Sequence, residues 1–142
     1  MSKVFSILNR KGNTIISVSP DTTVLEALKI MAEKNIGSII VTKDNNYQGI
    51  VTERDYSRKV MLKGKNSTDT TVSEIMSTDL PSVKPDDSIE LCMELMTNNA
   101  IRYMPVFEEG RLAGIISMSD VVKETILIQK ETISHLESYI NS

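Results

Sequence analysis

The chain repeats itself at an interval of 65 residues, and no other property of the sequence restricts its fold as strongly. Slid by that interval without a gap, Ser17, Val18, Pro20, Asp21, Met31, Ile36, Val41, Gly49, Ile50 and Asp55 fall on Ser82, Val83, Pro85, Asp86, Met96, Ile101, Val106, Gly114, Ile115 and Asp120. These ten identities lie within the 39 positions from Ser17 to Asp55; ordinary composition would give about two. Thr23 with Ser88, Val24 with Ile89 and Thr52 with Ser117 add similar pairs. The chain is therefore one supersecondary unit made twice.

Each half reads in the same order. A short extended segment around Ile15 to Val18, and around Val83, ends at Pro20 or Pro85. A helix follows, because Val24, Ala27, Leu28 and Met31 recur at helical spacing, as do Ile89, Cys92, Met93 and Met96. Thr23 with Glu26 three residues on has the form of a capping box. The β-branched run Ile36 to Thr42 predicts a buried strand. Lys43 to Asn46 predicts a turn, and Tyr47 to Val51 the returning strand. The second hairpin is predicted over Arg102 to Phe107 and Leu112 to Ile116, turning at Glu108 to Gly110. New helices are predicted from Thr52 and Ser117. The fold class is α+β, two β-α-β-β-α repeats, and each half alone would have too small a core.

The predicted division is 1–65 for the first repeat, 66–127 for the second and 128–142 for a carboxy-terminal helical arm. Asn66 to Thr71 reads as the connector. Val72, Ile75 and Met76 lead into the second half as Val4, Ile7 and Leu8 lead into the first, and three extra residues within Asn9 to Thr14 predict a loop. In the arm, Val122, Ile126, Gln129, Ile133, Leu136 and Ile140 follow alternating steps of four and three, which suits packing on its own domain or on a partner's helix; with Gln129 in the seam, the reading is a short packing arm ahead of an independent coiled coil.

Composition narrows the partners. Sixteen basic against nineteen acidic residues give a net charge of −3, without the broad positive field that nucleic acid or an anionic membrane would require. The longest apolar stretches, such as Ile36 to Val41, are far too short to cross a bilayer, and the amino terminus lacks the pattern of a secretory signal. A single cysteine fits a reducing compartment, with the cytoplasm as the expectation.

The sharpest chemical signal is Gly49-Ile-Val-Thr52-Glu-Arg54-Asp55 and its copy Gly114-Ile-Ile-Ser117-Met-Ser119-Asp120. In each, a glycine is read at the start of a strand, a hydroxyl at its end and a carboxylate three residues on. Taken alone, Ser/Thr-x-x-Asp closes the first turn of a helix. Its recurrence at equivalent positions adds a second reading: a carboxylate can accept both vicinal hydroxyls of a ribose, and hydroxyls with backbone N–H groups at a helix start can hold a phosphate. That combination suits a nucleotide. It lacks the activated base or metal that hydrolysis or transfer would need.

The doubled pattern Val-x-Pro-Asp, then Gly-Ile-Val/Ile-Thr/Ser-x-x-Asp, resembles the CBS-domain pair, named after cystathionine β-synthase, over nearly the whole chain. Thr52-Glu-Arg-Asp-Tyr56 and Met96-Thr-Asn-Asn-Ala-Ile-Arg102-Tyr-Met-Pro-Val106 are most similar to short stand-alone pairs. The resemblance implies two repeats about a pseudo-two-fold axis, with clefts between them for AMP, ADP, ATP or NAD, and S-adenosylmethionine ranked after these. Carried over, it implies that Asp55 and Asp120 hold the ribose, and that Thr52 and Arg54, or Ser117 and Ser119, lie by the phosphates. Ile16, Gly37, Ser38 and Ile39 would line one base pocket, and Ser82, Tyr103, Met104 and Pro105 the other. Arg102 would reach a phosphate. Arg54, Arg58 and Lys59 around the first motif, against Met118, Ser119 and Lys123 around the second, predict that the first site takes more phosphate charge.

Other candidates are weaker. Lys59 and Arg58 equally suit the wet face of a helix. Cys92 matches Ala27 on an apolar stripe, so it reads as core rather than nucleophile, and the lone His135 has no partner for a metal or a triad. The functional expectation is a non-enzymatic regulatory module that binds an adenosine nucleotide and signals to an unidentified separate protein, as a homodimer. The alternative is a ligand-free dimerisation or interaction scaffold, and a nucleotide-consuming enzyme ranks last.

Overall fold

A computed structural model of the chain describes residues 2–12 and 14–141. In chain order its elements are α1 (Val4–Lys11), β1 (Ser17–Val18), α2 (Val24–Lys34), β2 (Ser38–Lys43), β3 (Asn46–Thr52), α3 (Glu53–Tyr56), α4 (Ile89–Asn98), β4 (Tyr103–Glu108), β5 (Arg111–Ser117) and α5 (Met118–Asn141). A π-helical turn over Ser57–Met61 continues α3, and a 3-10 turn spans Val72–Glu74. The α+β class and the doubled β-α-β-β-α order are as the sequence predicts.

In the unit Ile15–Leu80, β1 runs parallel to β2, and β2 pairs antiparallel with β3. Asp44 and Asn45 join that hairpin with φ of 52° and 65°, the pair of left-handed residues that a type I′ turn demands. Glu109 and Gly110 do the same between β4 and β5, with φ of 51° and 76°. At α2 the Thr23 hydroxyl accepts the Glu26 N–H at 3.2 Å, and at α4 the Ser88 hydroxyl accepts that of Leu91 at 3.1 Å. The Thr23 cap is one-sided among the described residues, without the returning carboxylate bond of a full capping box.

The second copy of β1 shrinks to one bridge, Val83 to Val106. A proline explains this. In the first repeat the Ile40 N–H donates to the Ile16 carbonyl. The residue matching Ile40 is Pro105, which has no N–H to give, so that rung cannot form. The ladder keeps only the bonds flanking it, Val83 N–H to the Pro105 carbonyl and Phe107 N–H to the Val83 carbonyl.

The compact units cut across the expected halves. Instead of breaking near residue 65, the chain passes from one unit to the other at Thr14/Ile15 and at Leu80/Pro81. The lead-in of the first half, with Val4 and Ile7 fully buried, belongs to the core of the second repeat beside Val83, Ile89, Met96 and Val106. The lead-in of the second half, with Val72 and Ile75, completes the core of the first beside Val24, Met31, Val41 and Val51. Asn66 to Thr70 is accordingly no loose connector. Thr70 is buried, and its carbonyl accepts the Val24 N–H at the start of α2. The expected loop within Asn9 to Thr14 is also shorter, because α1 runs on through Lys11 to Gly12, whose φ is 86°; of the expected loop, position 13 lies outside the described residues.

The two motif glycines stand in mid-strand rather than at strand starts, and the lead-ins are the reason. A Cβ on Gly49 would lie 2.7 Å from the Ser77 carbonyl oxygen and 3.1 Å from the Met76 side chain. A Cβ on Gly114 would lie 2.9 Å from Cδ2 of Leu8, the counterpart of Met76. Ser77 also pairs with Ile50 through two backbone hydrogen bonds, of 3.1 and 2.9 Å, so the Gly49 neighbour cannot withdraw. Gly49→Ala is expected to lose about 1–3 kcal/mol of stability. Gly114→Ala should lose less, because a leucine side chain can turn away, and Leu8→Ala should remove most of its penalty. Urea unfolding of the single and double variants measures both effects.

Candidate functional site

The two Gly-to-Asp motifs end their strands in the same way. Thr52 and Ser117 close β3 and β5, and their extended backbones turn directly into α3 and α5. In the first, Asp55 Oδ2 accepts the Thr52 N–H at 2.9 Å and its hydroxyl at 3.1 Å, while Thr52 Oγ1 accepts the Asp55 N–H at 3.1 Å. In the second, Asp120 Oδ2 accepts the Ser117 N–H at 2.8 Å, and Ser117 Oγ accepts the Asp120 N–H at 3.1 Å. Both aspartates thus make the capping box that the bland reading of the motif predicts.

Each carboxylate also has an ammonium group. Lys59 Nζ lies 3.0 Å from Asp55 Oδ1, and it donates to the Ile75 carbonyl at 2.8 Å. Lys11 Nζ lies 2.8 Å from Asp120 Oδ2, and it donates to the Ile115 carbonyl at 2.9 Å. The π turn presents Lys59 one turn beyond Asp55, whereas Lys11 comes from α1 at the other end of the chain. A carboxylate offers about four acceptor positions. The cap and the lysine take three at Asp55 and two at Asp120. The cap therefore fixes the orientation of each carboxylate and still leaves it acceptor capacity for a hydroxyl.

The backbone at the helix starts is less available than the sequence suggests. The Glu53 N–H donates to the Gly37 carbonyl at 3.2 Å, and the equivalent Met118 N–H to the Arg102 carbonyl at 2.8 Å. With the Thr52, Asp55, Ser117 and Asp120 amides taken by the boxes, a phosphate here would rest mainly on side chains.

The remaining predicted residues fall into two groups, one in each unit. Ile16, Gly37, Ser38, Ile39, Thr52, Arg54, Asp55 and Arg58 lie in the Ile15–Leu80 unit; Ser82, Arg102, Tyr103, Met104, Pro105, Ser117, Ser119 and Asp120 lie in the other. Arg54, Arg58, Ser82, Arg102 and Ser119 are exposed, and Ile16, Gly37 and Tyr103 are half-buried. Ile39 and Met104 are different: their side chains sit within the two hydrophobic cores, at 1% and 0% exposure. Any contact they make with a base would pass through the backbone. Ser38 and Pro105 are buried too, and the Pro105 carbonyl is bonded to Val83.

Lys11 is the residue that sequence reasoning missed, along with the ion pair beside it, Arg10 to the buried Glu124 at 2.9 Å. One signal pointed there: the three residues by which the first lead-in is longer supply the turn of α1 that carries both cations. Their presence narrows the expected charge difference between the sites, since Asp120 has a cation that its own neighbourhood in sequence does not show. Burial pushes the Cys92 thiol up to about 11, with Asp87 and Glu90 adding to the effect, so the thiolate is scarce at neutral pH, as a core role implies. No three His, Cys, Asp or Glu side chains are grouped to hold a metal ion among the described residues, and no described helix is long and apolar enough to cross a membrane.

Comparison with known proteins follows the repeat. The CBS-domain family model matches the chain twice, over residues 6–62 and 72–126. The mitochondrial CBS domain-containing protein CBSX3 of Arabidopsis thaliana is 38% identical over 125 residues, which cover 84% of this chain and 61% of the relative. This chain thus spans less than two thirds of that relative's length. A solved structure of a candidate signal-transduction protein with CBS domains from Burkholderia ambifaria is 42% identical, with a TM-score of 0.82 over 87% of this chain and 91% of that one. A hexameric CBS-CP12 protein from bloom-forming cyanobacteria is 30% identical, with a TM-score of 0.78 over 92% and 75%.

Asp55→Ala removes half of a capping box and the partner of Lys59. It is expected to lower stability by about 1–2 kcal/mol without any ligand, and Asp55→Asn by less, because the amide oxygen still accepts from Thr52. Urea denaturation of the two variants separates this structural role from any effect on binding.

Proposed function

Since the chain belongs to the CBS-domain family and carries two copies of the domain, we propose that it is a regulatory module that binds an adenosine nucleotide. AMP, ADP, ATP and NAD are the candidate ligands, with S-adenosylmethionine behind them. The ribose diol would hydrogen-bond to Asp55 or Asp120, and Thr52, Arg54 and Arg58, or Ser117, Ser119 and Arg102, would face the phosphates. One observation carries this reading: two equivalent, cap-fixed carboxylates, each paired with a lysine and each retaining acceptor capacity. A structural cap alone needs no cation, and here both copies have one. The module itself would not catalyse, and binding would bias its conformation toward one that a separate protein reads. The buried, unpaired Cys92 suits a reducing compartment such as the cytoplasm.

A thermal-shift series tests the proposal. At a nucleotide concentration of about 100 Kd, binding adds about 2.7 kcal/mol of stability, which should raise the melting temperature by several degrees. Asp55→Asn and Asp120→Asn should each reduce the gain. If no adenine nucleotide raises the melting temperature at millimolar concentration, and native mass spectrometry of the purified chain shows only the bare polypeptide, the nucleotide reading is wrong.

A second reading, self-association, is favoured by α5. Residues 129–141 are exposed along their whole length, including Ile133, Leu136 and Ile140, and the apolar face continues inward through Val122 and Ile126. An open groove of about 440 Å³ lies at the inner end of this face, lined by residues that include Ser119, Val122, Ile126 and Lys130. We assign the face to α5 of a second copy. The seam spacing suits two helices, and antiparallel pairing brings Lys130 level with the partner copy's acidic residue at position 137. The hexameric relative shows that a chain of this fold can assemble. Deleting residues 128–142 should convert a dimer to a monomer by light scattering, and Ile133→Asp should do the same. An unchanged mass in both would assign dimerisation to another surface.

A further inference from the structure

We propose that Lys11 is a ligand-facing cation of the Asp120 site, so that α1, drawn from the opposite end of the chain, is part of that site and its docking is coupled to occupancy. The inference rests on the nucleotide reading above and adds a specificity-determining residue to it.

The geometry at Asp120 is the starting point. Lys11 Nζ donates to Asp120 Oδ2 at 2.8 Å and to the Ile115 carbonyl at 2.9 Å. An ammonium has three N–H donors. Two are directed at the motif itself, one to the carboxylate and one to the strand leading into it. The third is directed at neither, and it can reach an anionic group of a ligand whose hydroxyl the same carboxylate holds. Lys11 retains 38% side-chain exposure, so the ammonium is not sealed from solvent. Around it the local sequence supplies Met118 and Ser119 where the first repeat has Glu53 and Arg54, so the arginine of the first motif has no counterpart in the second.

The first repeat achieves the same placement locally. Lys59, four residues after Asp55, lies against Asp55 and bonds the Ile75 carbonyl. Position 124, which occupies the corresponding place after Asp120, is Glu, and a glutamate there cannot serve as the cation. Glu124 instead holds α1: its carboxylate, 5% exposed, pairs with Arg10 at 2.9 Å and accepts the Ser2 hydroxyl at 2.9 Å. One substitution between the repeats thus removes the local lysine and supplies the anchor for the helix that brings a distant one.

α1 has several attachments besides Lys11. Val4 and Ile7 are buried, the Val4 N–H bonds the Asp87 carbonyl, and Arg10 pairs with Glu124. Lys11→Gln therefore removes the charge and leaves the helix docked. Because binding free energies are linked, a ligand that gains from Lys11 must in turn hold α1 more firmly.

Titration calorimetry with ADP and with adenosine on the full chain, with hydrogen exchange across Val4–Lys11, tests the proposal. At one of the two sites, Lys11→Gln should weaken ADP about tenfold, as loss of a cation near a phosphate does, and change adenosine little. The double variant Lys11→Gln/Asp120→Asn should bind ADP more weakly than Asp120→Asn alone, because the two groups hold different parts of the ligand, and Lys59→Gln should affect the other site. ADP should slow exchange across α1 in the natural chain and much less in Lys11→Gln. Two unaffected ADP sites in Lys11→Gln would overturn the inference and leave the nucleotide reading intact. Equal losses of ADP and adenosine would also overturn it, showing Lys11 to be an anchor only. If the natural chain binds neither ligand, both proposals fall together.

Discussion

A hairpin backed by a single helix leaves one side of its core open, and each unit of this protein closes that side with a segment from the other half of the sequence. Val4 and Ile7 fill the place in one core that Val72 and Ile75 fill in the other. The close approach that results sets much of the remaining sequence. It leaves no room for a Cβ at Gly49 and crowds one at Gly114, it covers the free edge of β3 with Ser77, and it brings Lys11 and the Ile75 carbonyl to the two motifs. The glycines are kept small by neighbouring chain, and their place in mid-strand follows from that contact rather than from a turn.

Both motif aspartates are helix caps, and that role is compatible with a second one. A carboxylate free to rotate must lose side-chain freedom when it takes a diol, whereas one held by a backbone N–H and an ammonium, with a hydroxyl as well at Asp55, has lost that freedom on folding. The lysines also offset the cost of holding negative charge where Asp55 is largely buried. The same contacts that stabilise the start of each helix therefore prepare an acceptor of fixed direction.

Much of the fold was legible because its determinants are local. Asp44, Asn45 and Gly110 are residues that accept a left-handed backbone, and both hairpins turn where the hydrophobic pattern breaks. Thr23 and Ser88 cap the helices that the apolar stripes outline. What stayed hidden depends on partners far apart in sequence. The two lead-ins have the same apolar spacing, so nothing in their residues says which core each enters. The pair Lys11 and Asp120 is separated by 109 positions. The roles of Ile39 and Met104 were hidden for a different reason. β2 is buried over Ser38–Val41 and β4 over Met104–Val106, so the alternation that usually divides an inner face from an outer one is missing, and lining residues cannot be told from core residues.

The interleaving of the units has a consequence during synthesis. The unit Ile15–Leu80 is continuous and can fold once its last residue leaves the ribosome. The other unit cannot close until β5 and the start of α5 have emerged, more than a hundred residues after α1. Throughout that delay α1 has no seat, and Val4, Ile7 and Leu8 remain open to solvent and to any chaperone that recognises a nascent apolar segment.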